Sequence, residues 1–271
     1  MLELAPNHKR GLALANPVLN ASGILGFAAR EAYRGLIDFA ALGGFVTNAL
    51  TLTPRAATHP PNAIALPNGI LIHTGLPNPG VTRALKRYSG EWARLGPPVI
   101  VHLAATSPAD TRRSVERLER AESVSGIELG FTDEVTPDDL VQLIRAARGG
   151  LPLLARLPLA RALDLAEPAA RAGADALTLA APPRLAVEHE GRTVTGRFYG
   201  PDNFSRALET IQSVIGKNLG LPVIGAGGLY SVDNARAMLD AGAIAVQVDA
   251  ALWNTPGLLG QMTEALRQVD L

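Results

Sequence analysis

The sequence predicts an α/β fold, a (β/α)8 TIM barrel, and three observations carry that expectation. Short apolar runs alternate with helical patterns at a spacing of roughly 25–45 residues, the rhythm of βα units. The length of 271 residues suits one such barrel better than two smaller domains, so residues 1–271 are expected to form a single domain. Near the C-terminus, Leu221-Pro222-Val223-Ile224 runs into Gly225-Ala226-Gly227-Gly228, and Ala243 to Val248 ends at Asp249. In barrels of this kind the loops after strands seven and eight commonly hold a phosphate through backbone N–H groups.

Eight strands are expected near Pro17–Ala21, Gly44–Asn48, Pro98–Leu103, Gly126–Gly130, Pro152–Leu157, Ala176–Ala180, Pro222–Gly225 and Ile244–Val248. Each is a buried-type apolar run bounded by turn residues. Between them, Asp110–Ala121 and Pro137–Ala147 carry clear 3.6-residue stripes. Ser107-Pro108 and Thr136-Pro137 are helix starts, a hydroxyl cap followed by proline at the first helical position. Gly173 and Gly242 fall just past helix ends. Two stretches interrupt the rhythm. Thr53 to Gly80, rich in Pro, Asn and Gly, is too long for a simple βα connection and is expected to form a lid or rim. Arg184 to Phe198 alternates around Glu190-Gly191, the pattern of a hairpin inserted after strand six.

The hydrophobic fraction of 47% supports a large core, and with aromatics at only 4% that core must be mostly Leu, Ala, Val and Ile. Basic and acidic residues balance at 25 each, so no global field favours nucleic acid or an anionic membrane. A neutral surface also eases self-association, which is compatible with a homodimer. The absence of cysteine excludes disulfides, thiolate metal sites and a cysteine nucleophile or base, and fits a reducing compartment and equally a thermophile avoiding labile residues. Met1 to Pro6 lacks the basic start and apolar run of a signal peptide, and no apolar stretch is long enough to cross a bilayer. The expected location is cytoplasmic.

In a (β/α)8 barrel, chemistry comes from the C-terminal ends of the strands. Those ends carry Asn20 and Ser22, Thr47 and Asn48, His102, Gly130 with Asp133 beyond, Arg156, Ala180, Gly227 and Gly228, and Asp249. Arg156 on a buried strand needs an anion, either a protein carboxylate such as Asp249 or Glu128 or a ligand. His102 reads as a hydrogen-bonded histidine at the core edge or as a proton shuttle. His73 reaches the site only if the rim loop closes over it. Asp133 is a helix cap, a solvated acid or a general base. The five histidines show no metal-ligand spacing, no serine has a nucleophile-elbow context, and no aromatic platform accompanies the basic residues.

The chain resembles the dihydroorotate dehydrogenase family over nearly its whole length. The matching stretches are Asn16 to Gly23, Gly44 to Thr47, Leu52-Thr53-Pro54-Arg55, Gly75 to Gly80, Gly200-Pro201, Leu221 to Gly228 and Ala241 to Val248. The resemblance implies a barrel with its base plugged by an N-terminal hairpin, FMN as cofactor, and oxidation of dihydroorotate to orotate in pyrimidine biosynthesis. It places Ser22, Gly23 and Thr47 along the flavin, Asn78 on the substrate, and Gly227 and Gly228 in the phosphate cradle.

The departures fall on the chemistry. Asn48 stands where the family has a lysine near the flavin, and Arg156 replaces the strand-five lysine. Gly130-Phe131-Thr132-Asp133-Glu134 replaces the loop that supplies the substrate asparagines and the proton-abstracting Cys or Ser. The strand-six asparagine falls at Ala180 or Ala181, and Asp249-Ala250 replaces the Gly-Thr pair whose N–H groups bind phosphate. An acid there repels a phosphate dianion. Three readings follow. One is a silent paralogue that binds a ligand or assembles with an active subunit. Another is a flavin oxidoreductase using Asp133, His73 or His102 as replacement base. The third is a flavin-free barrel whose Arg156 holds an orotate-like or other small carboxylate.

Overall fold

A computed structural model describes residues 1–28, 33, 35–180 and 182–267. The chain opens with a small antiparallel hairpin, β1 (Leu2–Glu3) and β2 (Ala13–Leu14). The barrel strands β3 (Val18–Asn20) and β4 (Phe45–Val46) follow. Next come β5 (Ala63–Leu66) and β6 (Gly69–Ile72), then helix α1 (Val81–Trp92). Regular alternation takes over with β7 (Val99–Ala104), α2 (Pro108–Leu118), β8 (Gly126–Gly130), α3 (Pro137–Ala147), β9 (Leu153–Pro158), α4 (Ala162–Ala172) and β10 (Ala176–Ala180). The hairpin β11 (Arg184–His189) and β12 (Arg192–Tyr199) precedes α5 (Phe204–Ile215). The chain finishes with β13 (Val223–Ala226), α6 (Val232–Asp240), β14 (Ala245–Val248), α7 (Ala251–Asn254) and α8 (Leu258–Leu266).

Eight parallel strands run in the order β3-β14-β13-β10-β9-β8-β7-β4, and a bridge from Leu19 to Gly44 closes β3 onto β4. That seam is short of ladder bonds, and Asn20 compensates. Its amide donates to the Val46 carbonyl at 2.7 Å and accepts from the Val46 N–H at 3.0 Å. The helix starts are built as expected: Ser107 accepts from the Asp110 N–H and Thr136 from the Asp139 N–H. Gly173, at φ 97, takes the left-handed turn after α4.

The N-terminal hairpin closes the base. Leu4, Leu12 and Leu14 pack with Leu19, Val46, Ile100, Leu154, Ile224 and Ala245 in an apolar cluster separate from the main core. At the other end, the segment expected as a lid or rim contains two strands that the sequence did not reveal. β5 and β6 pair with each other, and β6 pairs with β12 of the inserted hairpin, giving a four-stranded sheet in the order β11-β12-β6-β5. The hairpin turns at Glu190 (φ 49) and Gly191 (φ 74), the positive-φ pair of a tight β-turn. The rim is therefore a braced sheet beside the mouth.

Candidate functional site

Glu128 lies at the centre of the barrel, fully buried, and is surrounded by donors from four other strands. His102 Nδ1 approaches its Oε1 at 2.7 Å and Arg156 Nη1 the same oxygen at 3.3 Å. Gln247 Nε2 donates to Oε2 at 2.6 Å and Thr178 Oγ1 at 3.0 Å. Arg156 Nη1 also donates to Gln247 Oε1 at 3.2 Å. Burial alone would raise the Glu128 pKa. The Arg156 charge and the hydrogen bonds from His102 and Gln247 outweigh it and hold the carboxyl at about 2. The carboxylate is thus ionised, with both oxygens satisfied. Arg156 finds its anion in Glu128, one of the two protein partners left open by the sequence.

An ionised carboxylate can only accept, so the proton of the His102–Glu128 bond sits on Nδ1. Burial lowers the His102 pKa, against the pull of Glu128, so the ring is neutral and its Nε2 is an acceptor. No hydrogen bond among the described residues uses that nitrogen. It lies over Gly130, where an added Cβ would come within 2.6 Å.

His102 opens onto a mouth cavity of about 370 Å³. Ser22 and Gly23 line one side, Asn48 and Arg156 the floor, Phe131 and Thr132 another edge, and Arg55, Arg197 and Tyr199 the rim. Three guanidinium groups face this volume. Arg197 also binds Asp133 at 2.8 Å and the Pro182 carbonyl at 2.8 Å, while Arg55 is exposed. The site therefore favours a small anion.

The other predicted residues take different places. Asp133 is engaged by Arg184 at 3.3 Å as well as by Arg197, tying the loop after β8 to the rim sheet. His73 follows β6, its backbone bound to Asn62 and Thr58, and it does not line the cavity. Asn78 holds its own loop: its Oδ1 accepts from the Thr51 and Gly80 N–H groups, and its Nδ2 donates to the Leu76 carbonyl. Thr47 is fully buried and accepts from the His102 N–H at 3.2 Å. Asn48 accepts from the Gly26 N–H at 3.1 Å and donates its own N–H to the Gly26 carbonyl, which pins the loop after β3. Ala180 ends β10 beside a small void, and Ala181 lies outside the described residues.

Glu128, Gln247 and Thr178 carry the network; the sequence offered Glu128 as an anion for Arg156 but signalled Gln247 and Thr178 only as polar residues inside apolar strands. Arg55, Arg197, Tyr199 and Trp253 of the mouth gave no comparable signal.

The phosphate-side geometry differs from a cradle. Gly227 and Asp249 line a void of only about 10 Å³, together with Arg156, Ala180 and Ala226. That is room for about one water. Gly228 is used for internal packing, since a Cβ there would sit 2.4 Å from the Phe204 N–H nitrogen at the start of α5. Asp249 is 3% exposed and its Oδ1 has no hydrogen-bond partner. Burial pushes its carboxyl up to about 6, against Arg156 and the backbone N–H groups of Ala251, Ala250 and Asp249 itself. The Asp249 carboxylate faces the N–H groups that an anion would use. The residues present do not fit an FMN phosphate in the pose implied by the family resemblance.

Comparison with known proteins gives one consistent family. Residues 6–131 match the family model described as dihydroorotate dehydrogenase. The match ends at Phe131, inside the segment that departs from the family loop. A protein of Desulforudis audaxviator named dihydroorotate dehydrogenase B (NAD(+)), catalytic subunit, is 32% identical, covering 95% of this chain and 90% of that protein. Proteins with the same name from Pelobacter propionicus and Endomicrobium trichonymphae are 30% and 31% identical over similar shares of each chain.

Proposed function

The chain belongs to the dihydroorotate dehydrogenase family, and on that premise we propose that it is a dihydroorotate dehydrogenase-like barrel that has lost the FMN-dependent oxidation and binds a small carboxylate in its mouth. The observation that carries this reading is Asp249, a buried carboxylate set against a void of about 10 Å³ where the flavin's phosphate would lie. Two unit charges 4 Å apart repel by about 4 kcal/mol at an effective dielectric of 20, and a phosphate brings nearly two. The family oxidation also needs a proton acceptor on the loop after the fourth barrel strand, and here that loop holds Asp133 bound by two arginines.

The ligand class follows from the lining. Arg55, Arg156 and Arg197 converge on a cavity whose lining, among the described residues, holds no carboxylate side chain and offers Asn48, His102, Thr132 and Tyr199 as further polar groups. Dihydroorotate and orotate are ring carboxylates of suitable chemistry. The relatives' name, catalytic subunit, supports assembly with a second chain, and we propose another copy or an active paralogue as that partner. No helix among the described residues is long and apolar enough to cross a membrane, and we place the protein in the cytoplasm as a single barrel domain.

The retained Ser22-Gly23 edge of the cavity favours a second reading, a flavin oxidoreductase with a replacement base. One experiment separates the two. The visible spectrum is recorded after purification, and again after incubation with excess FMN and desalting. A colourless protein in both states is expected; a stoichiometric flavin band in either overturns the proposal in favour of the second reading.

A further inference from the structure

We infer that His102, oriented by Glu128, is the proton acceptor of a flavin-independent reaction in the mouth, acting on a carbon beside a carbonyl in a dihydroorotate-like carboxylate. The inference rests on the small-carboxylate ligand class proposed above. It adds a chemical step to that site.

Three geometric facts place the group. His102 Nδ1 is 2.7 Å from a carboxylate whose other contacts are all donors, so the tautomer is fixed with Nε2 bare. The ring lines the mouth cavity, and Gly130 presents no side chain to cover its Nε2 edge. Arg156 lines the same cavity, and only its Nη1 is committed to Glu128 and Gln247 among the described residues. Its other donors are available to an oxyanion. An imidazole backed by a buried carboxylate, beside a guanidinium and a cavity, is the arrangement of a general base with an electrophilic partner. Both groups are largely shielded from water, His102 at 7% and Arg156 at 9% exposure, which strengthens both effects.

The step balances without an oxidant. The C–H bond beside the ring carbonyl breaks, and its electron pair moves onto the carbonyl oxygen as an enolate stabilised by Arg156. The proton passes to His102 Nε2. Reversal returns a proton from the imidazolium to the same carbon, so the net result is exchange of substrate hydrogen with solvent. Glu128 is a positioning residue: it touches His102 and Arg156 and holds both.

The test uses L-dihydroorotate as probe and the flavin-free protein in D2O, with proton NMR following the ring methylene. Wild-type protein is expected to replace a methylene proton with deuterium well above the buffer rate, forming no orotate. His102→Gln is expected to lower that rate by about 10²–10⁴-fold, and added imidazole to restore part of it in His102→Gly. Glu128→Gln lowers the exchange rate and moves the acid limb of its pH profile to lower pH, because the contact with Glu128 raises the His102 pKa. Exchange no faster than buffer, or exchange that persists in folded His102→Gln, overturns the inference. If the variants do not fold, nitrogen-15 NMR of histidine in the wild-type protein decides, because a protonated Nε2 at neutral pH also overturns it. The two proposals fail separately: a flavin band removes the loss of oxidation, whereas a colourless protein that binds dihydroorotate without exchange removes only the role of His102.

Discussion

Replacing Asp249 by Asn removes a buried acid that the fold holds in an unfavourable state, and the consequence is worked out from its pKa. The carboxyl is raised from 3.8 to about 6, chiefly by burial. For an acid raised in the folded state, the native protein binds more protons than the unfolded chain between the two pKa values. Stability is therefore highest at low pH and falls as pH rises through about 6. With those values, the Asp249 contribution at pH 4.5 exceeds that at pH 7 by about 2 kcal/mol. His102 acts in the opposite sense, since its lowered pKa makes the fold lose stability as pH falls below the ordinary histidine value. That effect is common to wild type and Asp249→Asn and cancels in their difference. The assay is urea unfolding of both proteins at several pH values from 4.5 to 7.5. The variant is expected to gain relative to wild type as pH rises, by about 2 kcal/mol over the range. A difference that stays flat with pH refutes the claim that Asp249 is a desolvated, underpartnered acid.

Other outcomes follow from the same geometry. Glu128→Leu leaves Arg156 buried without its partner and is expected to cost about 3–5 kcal/mol of stability, whereas Glu128→Leu with Arg156→Met recovers much of it in a thermal melt. Acidification below pH 4 weakens the fold as Glu128, ionised down to about 2, gains its proton; circular dichroism against pH records the loss. Asn20→Ala opens the β3–β4 seam, and hydrogen exchange at the Val46 amide is expected to quicken by about tenfold or more. Gly228→Ala places a Cβ 2.4 Å from a backbone nitrogen at φ 71, so its unfolding midpoint is expected to drop sharply.

The barrel was legible because each strand is an apolar run between turn residues, and strand periodicity needs no distant partner. Gly126–Gly130, Ala176–Ala180 and Pro137–Ala147 fall where the sequence placed them. The rim sheet was legible only in its inserted hairpin. Ala63–Leu66 and Gly69–Ile72 pair locally across Pro67-Asn68, whereas the joining of Gly69–Ile72 to Arg192–Tyr199, far along the chain, has no local pattern to announce it. At the site, Arg156 advertised a need for an anion, but the choice of Glu128 required the register of β8 against β9. Parity alone turns Glu128, Thr178 and Gln247 inward; only closure of the barrel brings all three together. His73 and Asp133 were named from loops, where side-chain direction depends on tertiary contacts that a sequence does not display. The acid at position 249 was readable, and its isolation beside so small a void was not.

The central claim is that this carboxylate takes the place of the flavin's charged tail, and comparing FMN with riboflavin isolates that tail. Titrations of the wild-type protein and of Asp249→Gly by flavin fluorescence at pH 7 are expected to show no preference for FMN in the wild type, and a preference emerging in the variant. Wild-type protein that binds FMN tenfold or more tighter than riboflavin contradicts the account, because the phosphate would then be held beside Asp249 despite its charge.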